Sequence, residues 1–185
     1  MSRPWPRVAS RTLADYRIFK LREDRCVSPR TGAEHPLLVL DTPDWVNVIA
    51  LTTEERVVFI RQYRFGRGEV TLEIPGGMVD PGESPADAAA RELAEETGYA
   101  AARWTPLGAI DPNPAILSNR CHTFLGEGCR RVGEARLDEK EDIAVEEIAL
   151  ADTARLLGDG TITHALVAVA FQKLDLHRRG LLVAA

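Results

Sequence analysis

The sequence predicts an α/β fold built from layers of strands and helices, and three observations support this. Up to about residue 80 the chain carries short apolar or β-branched segments separated by polar, Gly or Pro residues, a pattern typical of strands joined by turns. Residues 84–97 carry the boundary signals of a helix. Further strand-like segments and a last amphipathic segment follow, and this mixed order indicates a layered α/β or α+β domain.

Four strands are predicted before the helix, with turns at 42–44 and 66–68. They cover residues 37–40, 45–51, 57–63 and a short run around 70–74. A more polar section, roughly 11–41, is expected to form a small antiparallel β layer of its own. We therefore expect an N-terminal β-rich subdomain at 1–41 and the main domain at 42–185.

The helix at 84–97 is the best-bounded element of the sequence. Ser84 is placed as its N-cap, Pro85 at the first helical position, Asp87 three residues after the cap, and Gly98 just past the end. After it the pattern predicts three strands and two helices. The strands are at 105–110, 122–125 and 143–150, and the helices at 152–157 and about 163–177.

Composition narrows the class of protein. A chain of 185 residues with 45% apolar residues can form one compact core. A formal charge of −5 without a block of Lys or Arg argues against a protein that binds nucleic acid or membranes through a basic surface.

The three cysteines, Cys26, Cys121 and Cys129, lack CxxC spacing, and we expect them to be unpaired thiols in a reducing compartment. With no signal-peptide pattern and no long apolar stretch, we expect a cytoplasmic location.

The helix at 84–97 gathers acidic side chains on one face. Glu92 and Glu96 are one turn apart, and Glu95 lies beside them. Like charges at this spacing repel, so the helix face is either simply solvated, as most charge runs are, or neutralised by a cation. Ligands that are all oxygen favour Mg²⁺, or else Mn²⁺, over zinc. Arg91 can pair with Glu95, or with Glu83 across the loop, and so fix the carboxylates.

Glycines precede the acidic helix. Gly76 and Gly77 follow a predicted strand, where a backbone without side chains can turn sharply and approach a metal or a phosphate. The alternative is an ordinary glycine turn before an exposed acidic helix.

The segment 77–99 resembles the Nudix box, G-x5-E-x7-R-E-U-x-E-E-x-G-U. Eight of its nine defined positions match, and only Tyr99 is aromatic where the pattern has a bulky aliphatic residue. The resemblance implies the Nudix α/β/α sandwich with a mixed central sheet. It also implies hydrolysis of a nucleoside diphosphate linked to another group.

Beyond the box, the chain resembles the ADP-ribose and nucleoside-diphosphate-sugar pyrophosphatases. The residues that carry this likeness are 61–64, 72–77, Pro114 and 139–143. In that branch a serine after the box is often followed by glutamate, whereas here Ser118 is followed by Asn119. The departure leaves GDP-mannose or another nucleotide sugar open beside ADP-ribose.

The resemblance implies a set of site residues, carried over position by position. The metal ligands would be the Gly76 carbonyl, Glu92, Glu96 and Glu141. The catalytic set would be Glu139 as the favoured base, Glu141, Glu95 and Arg91. Substrate contacts would come from Arg61, Arg64, Trp45, Met78 and Pro114. Several of these could instead be a surface arginine, a core tryptophan or solvated loop charges. His122, His164 and His177 have no metal spacing and are interpreted as structural or exposed.

The expected function is therefore a metal-dependent pyrophosphohydrolase that releases a nucleoside monophosphate and a sugar phosphate. The resemblance further implies a homodimer in which the N-terminal β layer contacts the partner. Two alternatives stay open: a dinucleoside polyphosphate hydrolase that shares the box, and a non-catalytic module that binds nucleotide sugars without cleaving them.

Overall fold

The computed structural model describes residues 3–182, and the chain forms two compact units. The first comprises residues up to 43 together with 111–120; the second comprises 44–110 and the chain from 121 onward. The predicted division between residues 41 and 42 into two domains remains a prediction.

The first unit contains a three-stranded antiparallel sheet of β1 (Arg7–Tyr16), β2 (Phe19–Val27) and β3 (Glu34–Asp41), in that order. The segment 111–120 adds to it through a bridge between Leu40 and Leu117. A separate antiparallel β layer was predicted here, and the structure confirms it. The structure also starts β1 at Arg7, earlier than the sequence pattern indicated.

The second unit contains a seven-stranded sheet. Its strands are β4 (Trp45–Thr52), β5 (Arg56–Arg64), β6 (Glu69–Glu73), β7 (Tyr99–Ala100), β8 (Arg103–Ile110), β9 (Cys121–Arg131) and β10 (Ile143–Ala149). The order is β10-β5-β4-β9-β7, with β6 on β5 and β8 on β9. β4 and β9 pair in parallel and the other pairs are antiparallel, so the sheet is mixed, as expected.

Helix α1 (Pro85–Thr97) begins and ends where its sequence signals indicated. The Ser84 hydroxyl accepts a hydrogen bond from the Asp87 N–H at 3.1 Å. Gly98, at φ 73°, donates its N–H to the Ala94 carbonyl and closes the helix. A short 3-10 turn (Leu150–Asp152) leads into α2 (Thr153–Gly158), and α3 (Ala165–Arg178) follows.

The side chains of β4 alternate between two apolar cores, one on each face of the sheet. Ile49 and Leu51 pack in the core that contains Phe171 of α3. Val48 and Ala50 pack in the core that contains Leu93 of α1. Helices therefore cover both faces, which confirms the predicted α/β/α sandwich.

No helix within residues 3–182 is long and apolar enough to cross a membrane. Cys26, Cys121 and Cys129 are free thiols and are all buried, in agreement with their prediction as unpaired residues.

Candidate active site

The loop before α1 is fixed along the first half of β4 by backbone hydrogen bonds. Val46 N–H donates to the Gly77 carbonyl at 2.9 Å, and Val48 N–H donates to the Pro75 carbonyl at 2.8 Å. Between them, a Cβ added to Gly76 would overlap the Val46 carbonyl oxygen. Gly76 is therefore required by this close approach of two backbones.

The same two glycines bring the loop against the acidic face of α1. The Gly76 N–H donates to Oε2 of Glu96 at 2.9 Å. A Cβ added to Gly77 would overlap the carboxylate of Glu92. The helical spacing of Glu92 and Glu96 thus places both carboxylates at the glycine turn, as the sequence predicts. The Gly76 carbonyl as a metal ligand stays a prediction.

Arg91 is the centre of an ion-pair network that joins α1 to the loop. Its Nε and Nη2 donate to the two carboxylate oxygens of Glu83, both at 2.9 Å. Nη1 contacts Glu92 at 2.8 Å and Glu95 at 3.2 Å, and Nη2 also donates to the Met78 carbonyl at 2.9 Å. The hydrogen bonds to Glu83 raise the pKa of Arg91 above its ordinary value, and those from Arg91 lower the pKa of Glu83. These contacts give Arg91 a positioning role.

Glu92 and Glu96 lie in surroundings that disfavour their charged, deprotonated forms. Burial, together with the negative charges of Glu92 and Glu141, raises the pKa of Glu96 to about 8, although the Gly76 N–H opposes the shift. Burial also raises the pKa of Glu92, with further contributions from Glu95 and Glu141, against the opposing effect of Arg91. Burial and the neighbouring carboxylates thus disfavour the charged forms of Glu92 and Glu96, and their protein partners offset this only in part.

Glu141 lies in the loop between β9 and β10, and its negative charge contributes to the raised pKa values of Glu92 and Glu96. Its backbone N–H donates to the Asp138 carbonyl, and its carboxylate accepts from the Asp138 N–H, both at 2.9 Å. These bonds close a compact turn. Glu139 is exposed in the same turn.

The acidic cluster suits a divalent cation chemically, although its ligands are not gathered in advance. Within residues 3–182, no three His, Cys, Asp or Glu side chains converge as a ready-made ligand set. The available donors are nevertheless carboxylate oxygens, the type that Mg²⁺ and Mn²⁺ prefer. The buried Glu96 carboxylate, with its raised pKa, is a group that a bound cation would stabilise in its charged form.

Beside the loop lies an open cavity of about 680 Å³. Arg64, at the end of β5, lines it and donates from Nε and Nη2 to the two oxygens of Glu73, at 2.8 and 2.7 Å. The Thr71 hydroxyl donates to the same carboxylate at 2.6 Å. Burial alone would raise the pKa of Glu73, but hydrogen bonds from Arg64 and Thr71 hold it below its ordinary value. Gly76 and Gly77, which contact Glu96 and Glu92, also line the cavity, so it adjoins the acidic cluster.

The predicted substrate contacts fall in three places. Trp45, Met78 and Arg64 line the cavity. Arg61 instead pairs with Glu146 at 2.8 Å across the β5–β10 ladder. Pro114 lies in the first unit, in a turn where the Leu117 N–H donates to the Asn113 carbonyl. For Arg61 and Pro114, contact with substrate remains a prediction from the resemblance.

Three polar residues that line the cavity, Glu73, Asn47 and His164, were not predicted as site residues. Asn47 carried a signal, since it is a polar residue inside an apolar strand run, where it should be buried and needs a partner. Glu73 was noted only within the segment 72–77 that carries the likeness. His164 was interpreted as structural or exposed, and the structure places it in the cavity wall as the N-cap of α3.

Comparisons with known proteins show which proteins this chain is similar to. A family model described as "NUDIX domain" matches residues 42–166. The "ADP-ribose pyrophosphatase" of Bacillus subtilis (strain 168) is 35% identical over 139 residues, covering 75% of each chain. The "Methanol dehydrogenase activator" of Bacillus methanolicus is 30% identical over 161 residues, covering 86% of each chain.

The fold of the chain is also similar to that of a solved structure. A structure described as "Crystal structure of ADP compounds hydrolase" superposes with a TM-score of 0.84 over 98% of both chains. At 23% sequence identity, this likeness concerns the fold alone.

Proposed function

Because the chain belongs to the Nudix family of hydrolases, we propose that it cleaves the diphosphate linkage of ADP-ribose to AMP and ribose 5-phosphate. It is a pyrophosphohydrolase, an enzyme that acts on phosphoric anhydrides. The observation that carries the proposal is the buried Glu96 carboxylate, held by the Gly76 N–H and within electrostatic reach of Arg64 on the cavity wall.

The proposal includes Mg²⁺, with Mn²⁺ as a substitute, held by Glu92, Glu96 and Glu141. When bound, a divalent cation withdraws charge from the diphosphate and makes a water molecule more acidic. The raised pKa values of Glu92 and Glu96 support this assignment, because a bound cation would stabilise their charged forms. Arg91 holds Glu83, Glu92 and the loop carbonyl of Met78 together, so it keeps the ligands in place.

Arg64 would hold the diphosphate, because a planar guanidinium suits phosphate oxygens. Its Nε and Nη2 are paired with Glu73, so Nη1 is the nitrogen outside that pair. The carboxylate of Glu141 would take the proton from the attacking water. The water oxygen bonds to one phosphorus, the bond from that phosphorus to the bridging oxygen breaks, and the bridging oxygen leaves with the other phosphate.

The resemblance favoured Glu139 as the base, whereas electrostatic proximity supports Glu141. Of the two glutamates, Glu141 is among the main groups that raise the pKa values of Glu92 and Glu96, and Glu139 is not. We therefore assign the proton to Glu141 and leave Glu139 as the alternative in the same turn.

Substrate preference is tested with a panel of ADP-ribose, GDP-mannose and diadenosine polyphosphates, each with Mg²⁺, with Mn²⁺ and with EDTA. ADP-ribose should give the highest kcat/KM, with equal amounts of AMP and ribose 5-phosphate and no turnover in EDTA. A higher kcat/KM for GDP-mannose or a dinucleoside polyphosphate would overturn the assignment of substrate. If no compound releases a nucleoside monophosphate, the chain is a binding module.

We also propose a homodimer in the cytoplasm. Large apolar residues exposed on the sheet of the first unit support a partner contact there; they include Val8, Leu13, Tyr16, Leu37 and Leu38. Light scattering coupled to size-exclusion chromatography tests the assembly, and a mass of one chain at micromolar concentration would refute it.

A further inference from the structure

Asn47 places an unpaired hydrogen-bond acceptor in the wall of the cavity. It lies on β4 at a position that shares its strand face with Ile49 and Leu51, so an apolar side chain is expected there. The residue is only 7% exposed, and its Nδ2 donates to the Leu166 carbonyl at 3.3 Å. Its Oδ1 is buried and accepts no hydrogen bond from the described residues. A buried amide oxygen without a partner is costly, which makes it a candidate for ligand recognition.

His164 adds a hydrogen-bond donor to the same wall. It is the N-cap of α3, and its Nδ1 accepts the Leu166 N–H at 3.2 Å. Because Nδ1 is the acceptor, the neutral ring carries its proton on Nε2. Nε2 lies 3.8 Å from Oε2 of Glu73, which is beyond hydrogen-bonding distance. The Nε2 proton therefore has room to donate to a ligand.

Asn47 and His164 both hold the backbone of Leu166, one through its carbonyl and the other through its N–H. Both residues line the 680 Å³ cavity, with apolar walls that include Ile74 and Val167. Glu73, the carboxylate nearest His164 Nε2, is also the partner of Arg64 at 2.7 Å. A group held by Asn47 and His164 and a phosphate held by Arg64 would therefore be neighbouring parts of one ligand.

We propose that Asn47 and His164 form a subsite for a sugar hydroxyl of the substrate, next to the diphosphate. A hydroxyl donates to Asn47 Oδ1 and accepts from His164 Nε2, so it satisfies both groups at once. A nucleobase edge could also do so, but in the proposed substrates the base is one sugar farther from the phosphate at Arg64. This inference rests on the proposed function, since it assumes a nucleoside diphosphate linked to a sugar.

The hydroxyl has two possible sources, the ribose of the nucleoside and the sugar on the other phosphate. The two reaction products separate them, because AMP carries only the first and ribose 5-phosphate only the second. Their inhibition constants and calorimetric dissociation constants are measured on the wild type and on two variants. Asn47→Leu removes the acceptor. His164→Asn removes the Nε2 donor but keeps a side-chain oxygen that can cap the Leu166 N–H.

Each variant should raise KM for ADP-ribose by about tenfold or more while kcat changes by less than about threefold. The dissociation constant of one product, and only one, should rise by a similar factor. Thr123→Val is the matched control, since Thr123 is a buried polar residue paired with Asn47 on β9 and is outside the set of described residues that line the cavity. The control should leave KM and both product constants unchanged.

The inference is overturned if neither product binds more weakly to either variant, or if both products weaken equally, which would indicate general damage to the cavity. Should Asn47→Leu fail to fold, His164→Asn carries the test alone. Failure of the proposed function is seen separately, as a wild type that releases no nucleoside monophosphate. If the wild type turns over ADP-ribose and both variants have a normal KM, the sugar subsite is refuted and the proposed function stands.

Discussion

The guanidinium of Arg64 faces the carboxylate of Glu73 with two parallel hydrogen bonds, from Nε at 2.8 Å and Nη2 at 2.7 Å. Glu73 is 3% exposed, so the pair is largely shielded from water on the carboxylate side. Two-point pairing fixes the plane of a guanidinium as well as its position. Arg64 is thus oriented in advance for the phosphate that we assign to it.

Glu73→Gln tests this orientation. The neutral amide keeps one acceptor but loses the charge and one of the two parallel bonds, so Arg64 should be held less firmly. We expect KM for ADP-ribose to rise by about tenfold, with a smaller fall in kcat. Glu127→Gln, which breaks the Arg103–Glu127 pair on β8 and β9, is the control and should leave KM unchanged. Equal kinetics for the two variants would contradict a positioning role for Glu73.

Gly77→Ala should damage the acidic cluster directly. The new Cβ would overlap the Glu92 carboxylate and displace it from the loop. We expect kcat to fall by about a hundredfold or more if the displaced carboxylate is a cation ligand. Gly158→Ala is the matched control, because its Cβ would meet nothing within 4 Å. Steady-state kinetics at saturating Mg²⁺ measure the kcat of both variants. A normal kcat for Gly77→Ala would refute the assignment of Glu92 as a cation ligand beside this glycine.

Glu96→Gln separates the metal role of this residue from its structural role. The amide oxygen can still accept from the Gly76 N–H, and removing a buried charge should leave the folded protein at least as stable without cations. Turnover should fall by about a hundredfold or more. In thermal unfolding, Mg²⁺ should raise the midpoint of the wild type and have a much smaller effect on the variant. Equal turnover, or an equal response to Mg²⁺, would exclude Glu96 as a ligand.

The loop acids can be ranked by comparing Glu141→Gln with Glu139→Gln. Glu141 acts on the pKa values of Glu92 and Glu96, so its loss should lower kcat more, by about a hundredfold. Glu139→Gln is the neighbouring control for charge and loop chemistry, with an expected change below about tenfold. The reverse ranking, measured at saturating substrate, would return the role of base to Glu139.

Asp24 should make the stability of the protein depend on acid pH. A hydrogen bond from Ser10, with Arg7 and Arg22 nearby, lowers the pKa of Asp24 below its ordinary value despite burial. Its unfolded-state pKa is about 3.9. The stability that it contributes is therefore complete above that pH and is lost as pH falls through the lower folded-state pKa.

Asp24→Asn should reduce the free energy of unfolding at pH 7 by about 1–3 kcal/mol, and the difference should shrink below about pH 4. Urea unfolding at pH 3, 4, 5 and 7 measures it. Asp15→Asn removes an exposed pair with Lys20 and should change stability by less than about 1 kcal/mol at any pH. A constant difference between Asp24→Asn and wild type across the range would show that the charge of Asp24 does not contribute.

Local features of the site could be predicted because helix geometry is set by short-range spacing. The cap at Ser84, the end at Gly98 and the shared face of Glu92 and Glu96 all follow from the 3.6-residue period and from the orphan N–H and C=O groups of a helix. The strands from β3 onward were found from their short apolar segments, except β7, whose two residues are too few for any period to show. β1 and β2 were expected only as part of a polar β layer, because their many polar side chains give no clear apolar alternation.

Partners distant in sequence could not be predicted in this way. The alternation of β6 places Glu73 on the face opposite Leu72, and only the fold shows that this face is also buried and that Arg64 and Thr71 satisfy the carboxylate. The turn around Glu141 carries two glutamates, and only the fold determines which of them raises the pKa of Glu96. Arg61 and Arg64 look alike on β5, yet one pairs with Glu146 and the other lines the cavity.

The sequence by itself determined the family, the capped acidic helix and the two glycines that precede it, since each depends on spacing within a few turns of chain. Only the tertiary structure decided that β4 pairs in parallel with β9, that Gly76 is pressed against the backbone of Val46, and that Asn47 faces the start of α3. The physical reason is that these contacts join segments far apart in the chain. Their formation depends on how whole apolar faces pack, which no local period encodes.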